Sequence, residues 1–138
     1  MAESRCAACA AGVMLATLML GGCGLTGPAH GPPSPQAAAT VTMGFESYSP
    51  AQVTIRSGDT VEWQNTSLIT HTVTDEPKLA KKPGDSTLPP GAVAFNSGDL
   101  PPGQVYFHTF TVPGTYRYFC IHHEGDGMLG TVMVQPAS

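Results

Sequence analysis

Near the C-terminus, the string Tyr118-Phe119-Cys120-Ile121-His122-His123-Glu124-Gly125-Asp126-Gly127-Met128 places a thiol, an imidazole and a thioether within nine residues. All three are soft or borderline metal ligands. Cys120 closes a strand-like run that begins at Tyr116, and it shares the parity of Tyr116 and Tyr118, so it points inward. Gly125 and Gly127 let the following loop turn, which brings His123 and Met128 back toward the same point. A fourth donor must come from elsewhere in the chain. His71 is the candidate, because it opens a short strand-like run, His71 to Thr74, after the polar turn Asn65 to Thr70. Thiolate and thioether favour Cu(I), whereas imidazole accepts both oxidation states, so two imidazoles, a thiolate and a thioether together select copper. Structural zinc rarely uses Met.

Taken singly, these residues say little. Cys120 alone reads as a buried apolar residue and Met128 alone as core filler; their joint spacing with His123 carries the metal reading. His122 competes with His123 on paper, but neighbouring side chains on an extended segment face opposite ways, so one of the two meets Cys120, and His123 is the choice. His108 lies in the strand-like run Gln104 to Val112 and reads as a structural or surface histidine. His30 sits in a Pro- and Gly-rich stretch and reads as inert.

The elements that must position these donors are β-strands. Apolar residues alternate with period two at Val41, Met43 and Phe45, at Val53 and Ile55, at Val61 and Trp63, and at Val132 and Val134. Between them fall Ser49-Pro50, Ser57-Gly58-Asp59, Pro83-Gly84, Pro89-Pro90-Gly91, Ser97-Gly98-Asp99, Pro101-Pro102-Gly103 and Pro113-Gly114, and no long window of helical period survives. Strands at this spacing predict an all-β sandwich or barrel. Asp75 to Ala92 carries no strand pattern and reads as a long surface loop whose Lys78, Lys81 and Lys82 are solvated. Trp63 reads as a core anchor beneath the site, and Tyr116 as a structural tyrosine near a turn.

With these residues in place, the chain resembles the cupredoxins, in particular the plastocyanin-like group, whose C-x-x-H-x-x-x-x-M signature is matched by Cys120, His123 and Met128. The resemblance extends to Gly58-Asp59-Thr60-Val61-Glu62-Trp63-Gln64-Asn65 and to Phe110-Thr111-Val112-Pro113-Gly114-Thr115-Tyr116. It implies a Greek-key sandwich or barrel of about seven to eight strands and a type 1, or blue, copper site. It also implies the ligand set His71, Cys120, His123 and Met128, holding one copper ion that cycles between Cu(I) and Cu(II). Thr70 and Thr72 stand where plastocyanins usually have Pro and Asn, His122 where Pro is common, and Phe119 where an exposed Tyr precedes the Cys.

The N-terminus reads as an address. Arg5 precedes fifteen uncharged residues, Cys6 to Leu20, too few for a membrane-spanning helix, which needs ~18, and long enough for a signal-peptide core. The run ends in Leu20-Gly21-Gly22-Cys23, which resembles a bacterial lipobox, so residues 1–22 are expected to leave and Cys23 to carry a lipid. Residues 24–39 hold four Pro, three Gly and no charge. They make a semi-extended tether from the lipid to a copper-binding domain over residues 40–138. Of the four cysteines, Cys6 and Cys9 depart with the signal and Cys23 is blocked, leaving Cys120 and excluding a disulfide framework. The expected location is therefore outside the cytoplasm, lipid-anchored on the periplasmic or extracellular face of a bacterial membrane.

Composition narrows the function classes. The 138 residues fit one domain and exclude a multidomain enzyme. Six Lys and Arg against ten Asp and Glu, for a net charge of −4, leave no basic footprint for nucleic acid. Three readings of the site remain. A monomeric one-electron carrier would exchange electrons with protein donors and acceptors docked at the exposed edge of His123. A copper storage or delivery protein would more usually expose Met or His clusters. A cysteine enzyme would use Cys120 activated by His123, but no orienting third group or oxyanion donor is apparent. The first reading, a carrier and not an enzyme, is the one adopted.

Overall fold

The computed structural model describes residues 36–138. The signal segment, Cys6, Cys9, Cys23, His30 and most of the tether lie outside the described residues. Among the described residues, seven strands form two sheets: β1 (Ala39–Met43), β2 (Tyr48–Ser49), β3 (Gln52–Arg56), β4 (Thr60–Asn65), β5 (Val105–Thr109), β6 (Gly114–Phe119) and β7 (Leu129–Gln135). One sheet has the order β2-β1-β4-β5 and the other β3-β7-β6. The chain changes sheets at β2 to β3, β3 to β4 and β5 to β6. Strands β1 and β4 pair in parallel, as do β3 and β7. The expected all-β sandwich is observed, and among the described residues helical structure is confined to three short 3₁₀ turns.

Period-two patterning explains the packing. In β3 the residues alternate exposed and buried, with Val53 and Ile55 inward, and in β4 Val61, Trp63 and Asn65 face the core. Trp63 is fully buried and anchors an aromatic cluster, with Tyr118 edge-on at 5.4 Å and Phe95 and Tyr106 each at 5.9 Å between ring centroids. Tyr116 donates its hydroxyl to the Val112 carbonyl at 2.8 Å, closing the turn before β6 as expected. His108 is half-buried, its ring tilted against Phe95 at 4.5 Å and edge-on to Phe110 at 4.7 Å, a structural histidine whose pKa is lowered by burial.

Three expectations are corrected. Phe45 continues the β1 alternation on paper but is 70% exposed, because β1 ends at Met43 and a turn closed by Gly44 N–H to Ser47 C=O carries Phe45 at its tip. His71 to Thr74 is not a continuous strand. Its ends pair with different partners, His71 with Leu100 and Thr74 with both Asn96 and Phe119, so no single ladder forms. The third is a correction in part: Asp75 to Ala92 lies at the surface with Lys78, Lys81 and Lys82 exposed, as expected, but it is tied to the sheet. It packs as a strap along β6, the edge strand of its sheet: Thr87 and Arg117 exchange backbone bonds of 3.2 and 2.9 Å, and Asp75 and Ser86 are buried. An edge strand exposes unpaired backbone groups, and the strap covers part of this one.

Asp75 has no accessible surface. One carboxyl oxygen accepts the Phe95 N–H at 2.7 Å and the other has no partner. Burial pushes its pKa from 3.8 up to about 6, against the opposing pull of the Phe95 N–H. A carboxyl whose folded value is raised favours the folded state when protonated, so this contribution is full below the unfolded value and is lost as pH rises to about 6. A rise of this size corresponds to about 3 kcal/mol at most. Asp75→Asn is therefore expected to lose stability less than the wild type between pH 4 and pH 7; parallel urea-denaturation curves for the two proteins at both pH values would contradict this.

Candidate metal centre

The site forms at the pole of the sandwich where β4 and β6 end. Thr74 and Phe119 exchange backbone bonds of 3.2 and 2.9 Å, which sets the His71–Thr74 segment against the end of β6, one residue before Cys120. After Cys120 the chain turns tightly. Cys120 C=O accepts the His123 N–H at 3.2 Å, and a 3₁₀ turn over Glu124–Asp126 ends at Gly127, whose φ of +85° suits glycine. Met128 then returns beside the start of the loop: its N–H donates to His123 C=O at 3.1 Å, and its C=O accepts the Cys120 N–H at 3.2 Å.

His71, Cys120 and His123 converge, with one ligand atom from each lying within 4.8 Å of the others. Cys120 Sγ lies 3.8 Å from His71 Nδ1 and 3.5 Å from His123 Nδ1. A first-row ion bonded at roughly 2.0–2.3 Å to each donor in a trigonal arrangement implies separations of roughly 3.5–3.8 Å between sulfur and nitrogen. The residues therefore fit copper. His71 and Cys120 have no accessible surface and His123 is half-buried, so water is largely excluded. Met128 is also fully buried. His122 points elsewhere: it is exposed, and its Nε2 lies 2.7 Å from Asp99 Oδ1.

A polar network holds the first imidazole. Ser67 Oγ lies 3.0 Å from His71 Nε2, which leaves Nδ1 to face the thiol. Asn65 organises that turn, donating through Nδ2 to the Ile69 and Leu100 carbonyls at 2.8 Å each and accepting from Ser67 N–H and Oγ through Oδ1. Burial lowers the His71 pKa, and the neighbouring His123 lowers it further, against an opposing contact with the Gly44 backbone. A lowered value keeps the imidazole neutral and ready to donate its lone pair.

Thr72 organises the thiol side. Its N–H donates to Cys120 Sγ at 3.4 Å, its Oγ1 accepts the Ile121 N–H at 2.8 Å, and its C=O accepts the Tyr48 hydroxyl at 2.6 Å. Hydrogen bonds to a ligating sulfur tune the potential of a copper-thiolate centre. Asn65, Ser67, Thr72 and Tyr48 were not singled out as site residues by sequence reasoning. One signal was there to read: Asn65 is a polar residue at the core parity of Val61 and Trp63, and a polar group placed inward on a strand needs a full set of partners.

A two-sheet sandwich with a thiol and two imidazoles converging at one pole defines the cupredoxin class. Residues 36–135 match the family described as copper binding proteins, plastocyanin/azurin family, and the chain belongs to that family. It is similar to the plastocyanin of Scenedesmus fuscus, 36% identical over 101 residues that cover 70% of this chain and 98% of that protein. It is also similar to the plastocyanin of a Synechococcus species, 32% identical over 109 residues, covering 73% of this chain and 77% of that one. Among solved structures, amicyanin from Paracoccus versutus superposes with a TM-score of 0.56 at 29% identity, covering 75% of this chain and 86% of that one. The protein is thus a copper-binding electron carrier of the cupredoxin family, with His71, Cys120 and His123 able to hold the ion.

Proposed function

We propose that the chain is a monomeric one-electron carrier with a type 1 copper site, exported and tethered to a bacterial membrane through a lipid on Cys23. The observation that carries the site reading is the convergence of His71 Nδ1, Cys120 Sγ and His123 Nδ1 within 4.8 Å. Met128 is assigned as the residue that would give the fourth, weaker donor, on its C-x-x-H-x-x-x-x-M spacing and on its buried position, bonded through its backbone to both Cys120 and His123. Copper, when bound, supplies one-electron chemistry between Cu(I) and Cu(II). The protein's part is to hold the donors in place through Asn65, Ser67 and Thr72, so that little rearrangement accompanies electron exchange, and to keep water out.

Electron donors and acceptors are assigned to this pole, at the half-exposed edge of His123. Ser67 and Gly44 both touch His71, and the residue after each, Leu68 and Phe45, is 86% and 70% exposed. This apolar rim suits brief, weak docking. Copper titration followed by voltammetry tests the function: one equivalent, an intense visible band and a reversible couple are expected. Copper that binds without a couple would favour storage or delivery.

Met128 variants test its assignment as a donor. A thioether stabilises Cu(I) better than a hard oxygen does, so Met128→Gln is expected to lower the potential. Met128→Leu removes the donor, destabilises Cu(II) and is expected to raise it, with copper retained in both variants. Coincident potentials, or any order other than Leu above Met above Gln, would show that Met128 only packs in the loop.

In the proposed domain organisation, the signal over 1–22, the lipid on Cys23 and the tether as far as residue 35 lie outside the described residues, and the copper domain is assigned from residue 40. No helix among the described residues is long and apolar enough to cross a membrane. Stable anchoring takes two or more acyl chains, since one binds only marginally. Cys23→Ser is therefore expected to shift the protein from the membrane to the soluble fraction, and unchanged membrane association would refute the lipid.

A further inference from the structure

Glu124 follows His123 directly and has a side chain only 3% exposed. Its carboxylate reaches across to the strap: Oε1 accepts the Lys81 N–H at 2.8 Å and the Lys82 N–H at 3.0 Å, and Oε2 accepts the Lys81 N–H at 3.0 Å. Lys81 and Lys82 themselves are exposed, so a buried carboxylate here binds the backbone of a segment whose side chains lie in solvent. Buried carboxylates are costly unless they accept hydrogen bonds, and bonds to a charged acceptor are about twice as strong as neutral ones. The backbone-to-backbone bonds of the ligand loop, by contrast, close on the loop itself, among Cys120, His123, Glu124, Asp126, Gly127 and Met128, and its Ile121 N–H is tied outward to Thr72 Oγ1.

We infer that Glu124 is a positioning residue for the metal centre, its carboxylate latching the Asp75–Ala92 strap to the loop that carries His123. The latch is one of three ties along the strap. At its start, Asp75 follows Thr74, which is bonded to Phe119; in its middle, Lys81 and Lys82 are held by Glu124; further on, Thr87 is bonded to Arg117. The strap, its lysines included, thereby becomes one mechanical unit with the donors. Because coupling between two sites is reciprocal, an ion that orders the 120–128 loop must also order the strap through Glu124, and release of the strap must loosen His123. The proposal rests on the copper reading for its metal-linked half alone.

Amide hydrogen exchange and limited trypsin digestion of the full chain, metal-free and copper-loaded, test it. In the wild type, the Lys81 and Lys82 amides are expected to exchange at least tenfold more slowly than in an unstructured chain, and more slowly still with copper. In Glu124→Gln, that protection should fall and tryptic cleavage after Lys78 and Lys81 should rise at least tenfold, while cleavage after Arg117 in β6 stays unchanged. The Lys82–Pro83 bond resists trypsin. Copper should no longer protect the strap of the variant. Wild-type amides exchanging at the free-chain rate would overturn the latch, as would a variant whose strap is still shielded by copper. If the variant unfolds, seen as cleavage after Arg117, the wild-type exchange rates decide alone. Failure of copper to bind would defeat the functional reading, yet the metal-free comparison would still judge the latch.

Discussion

Cys120→Ser is expected to abolish the intense visible band of the copper-loaded protein and to lower copper affinity by on the order of 10²-fold or more. The band requires a thiolate donor. A serine hydroxyl does not ionise near neutral pH, and its oxygen is a poor match for Cu(I). The fold should survive, because Cys120 lies beyond the last residue of β6 and the change is nearly isosteric. The buried hydroxyl retains a partner in the Thr72 N–H, which sits 3.4 Å from the sulfur. Copper titration with a visible spectrum, set against a thermal melt of the metal-free protein, separates loss of the site from loss of the fold. A variant that remains blue with one bound copper would remove Cys120 from the ligand set.

Gly130→Ala is expected to be the most damaging single methyl group in the sandwich. A Cβ at Gly130 would overlap the ring and hydroxyl of Tyr118, with Cε2 at 2.6 Å. Tyr118 has no room to retreat: it is fully buried, edge-on to Trp63 at 5.4 Å and to Tyr48 at 4.7 Å. Gly130 is likewise held, since it stands opposite Tyr118 in the β6–β7 ladder. Overpacking of a rigid core costs about 1–3 kcal/mol, and this overlap belongs at or above the upper end. For a domain of this size, that lowers the melting temperature by on the order of 10–20 °C. A melt within 3 °C of the wild type would mean that the β6–β7 pair can separate more easily than its ladder suggests.

Local patterns made much of the molecule legible. Cys120, His123 and Met128 lie within nine residues, so a strand end and a glycine-bearing loop are enough to gather them. The alternation in β3 and β7 followed from the requirement that one sheet face be buried, a constraint with a period of two that any reader of the chain can apply. Where that rule failed, a local turn had intervened: Phe45 keeps the parity of Met43 but lies past the end of β1.

The rest depended on partners far apart in the chain. His71 could be named as a donor by residue type, but it meets Cys120 only because Thr74 pairs with Phe119 and Leu100 with His71. Asp75 to Ala92 looked like a solvated loop because an edge-covering segment needs no apolar period; it is held by backbone bonds to Arg117 and by the carboxylate of Glu124, neither of which leaves a mark in its own composition. Thr72, Ser67 and Tyr48 are ordinary residues whose roles arise from contacts spanning up to 49 positions. By itself the sequence determined which chemistry was available and which faces had to be buried, since residue type and short-range spacing settle both. The tertiary structure alone decided which backbone amides face the thiol and which carboxylate ties the strap to the ligand loop, because hydrogen bonds between distant segments exist only once the sheets have closed.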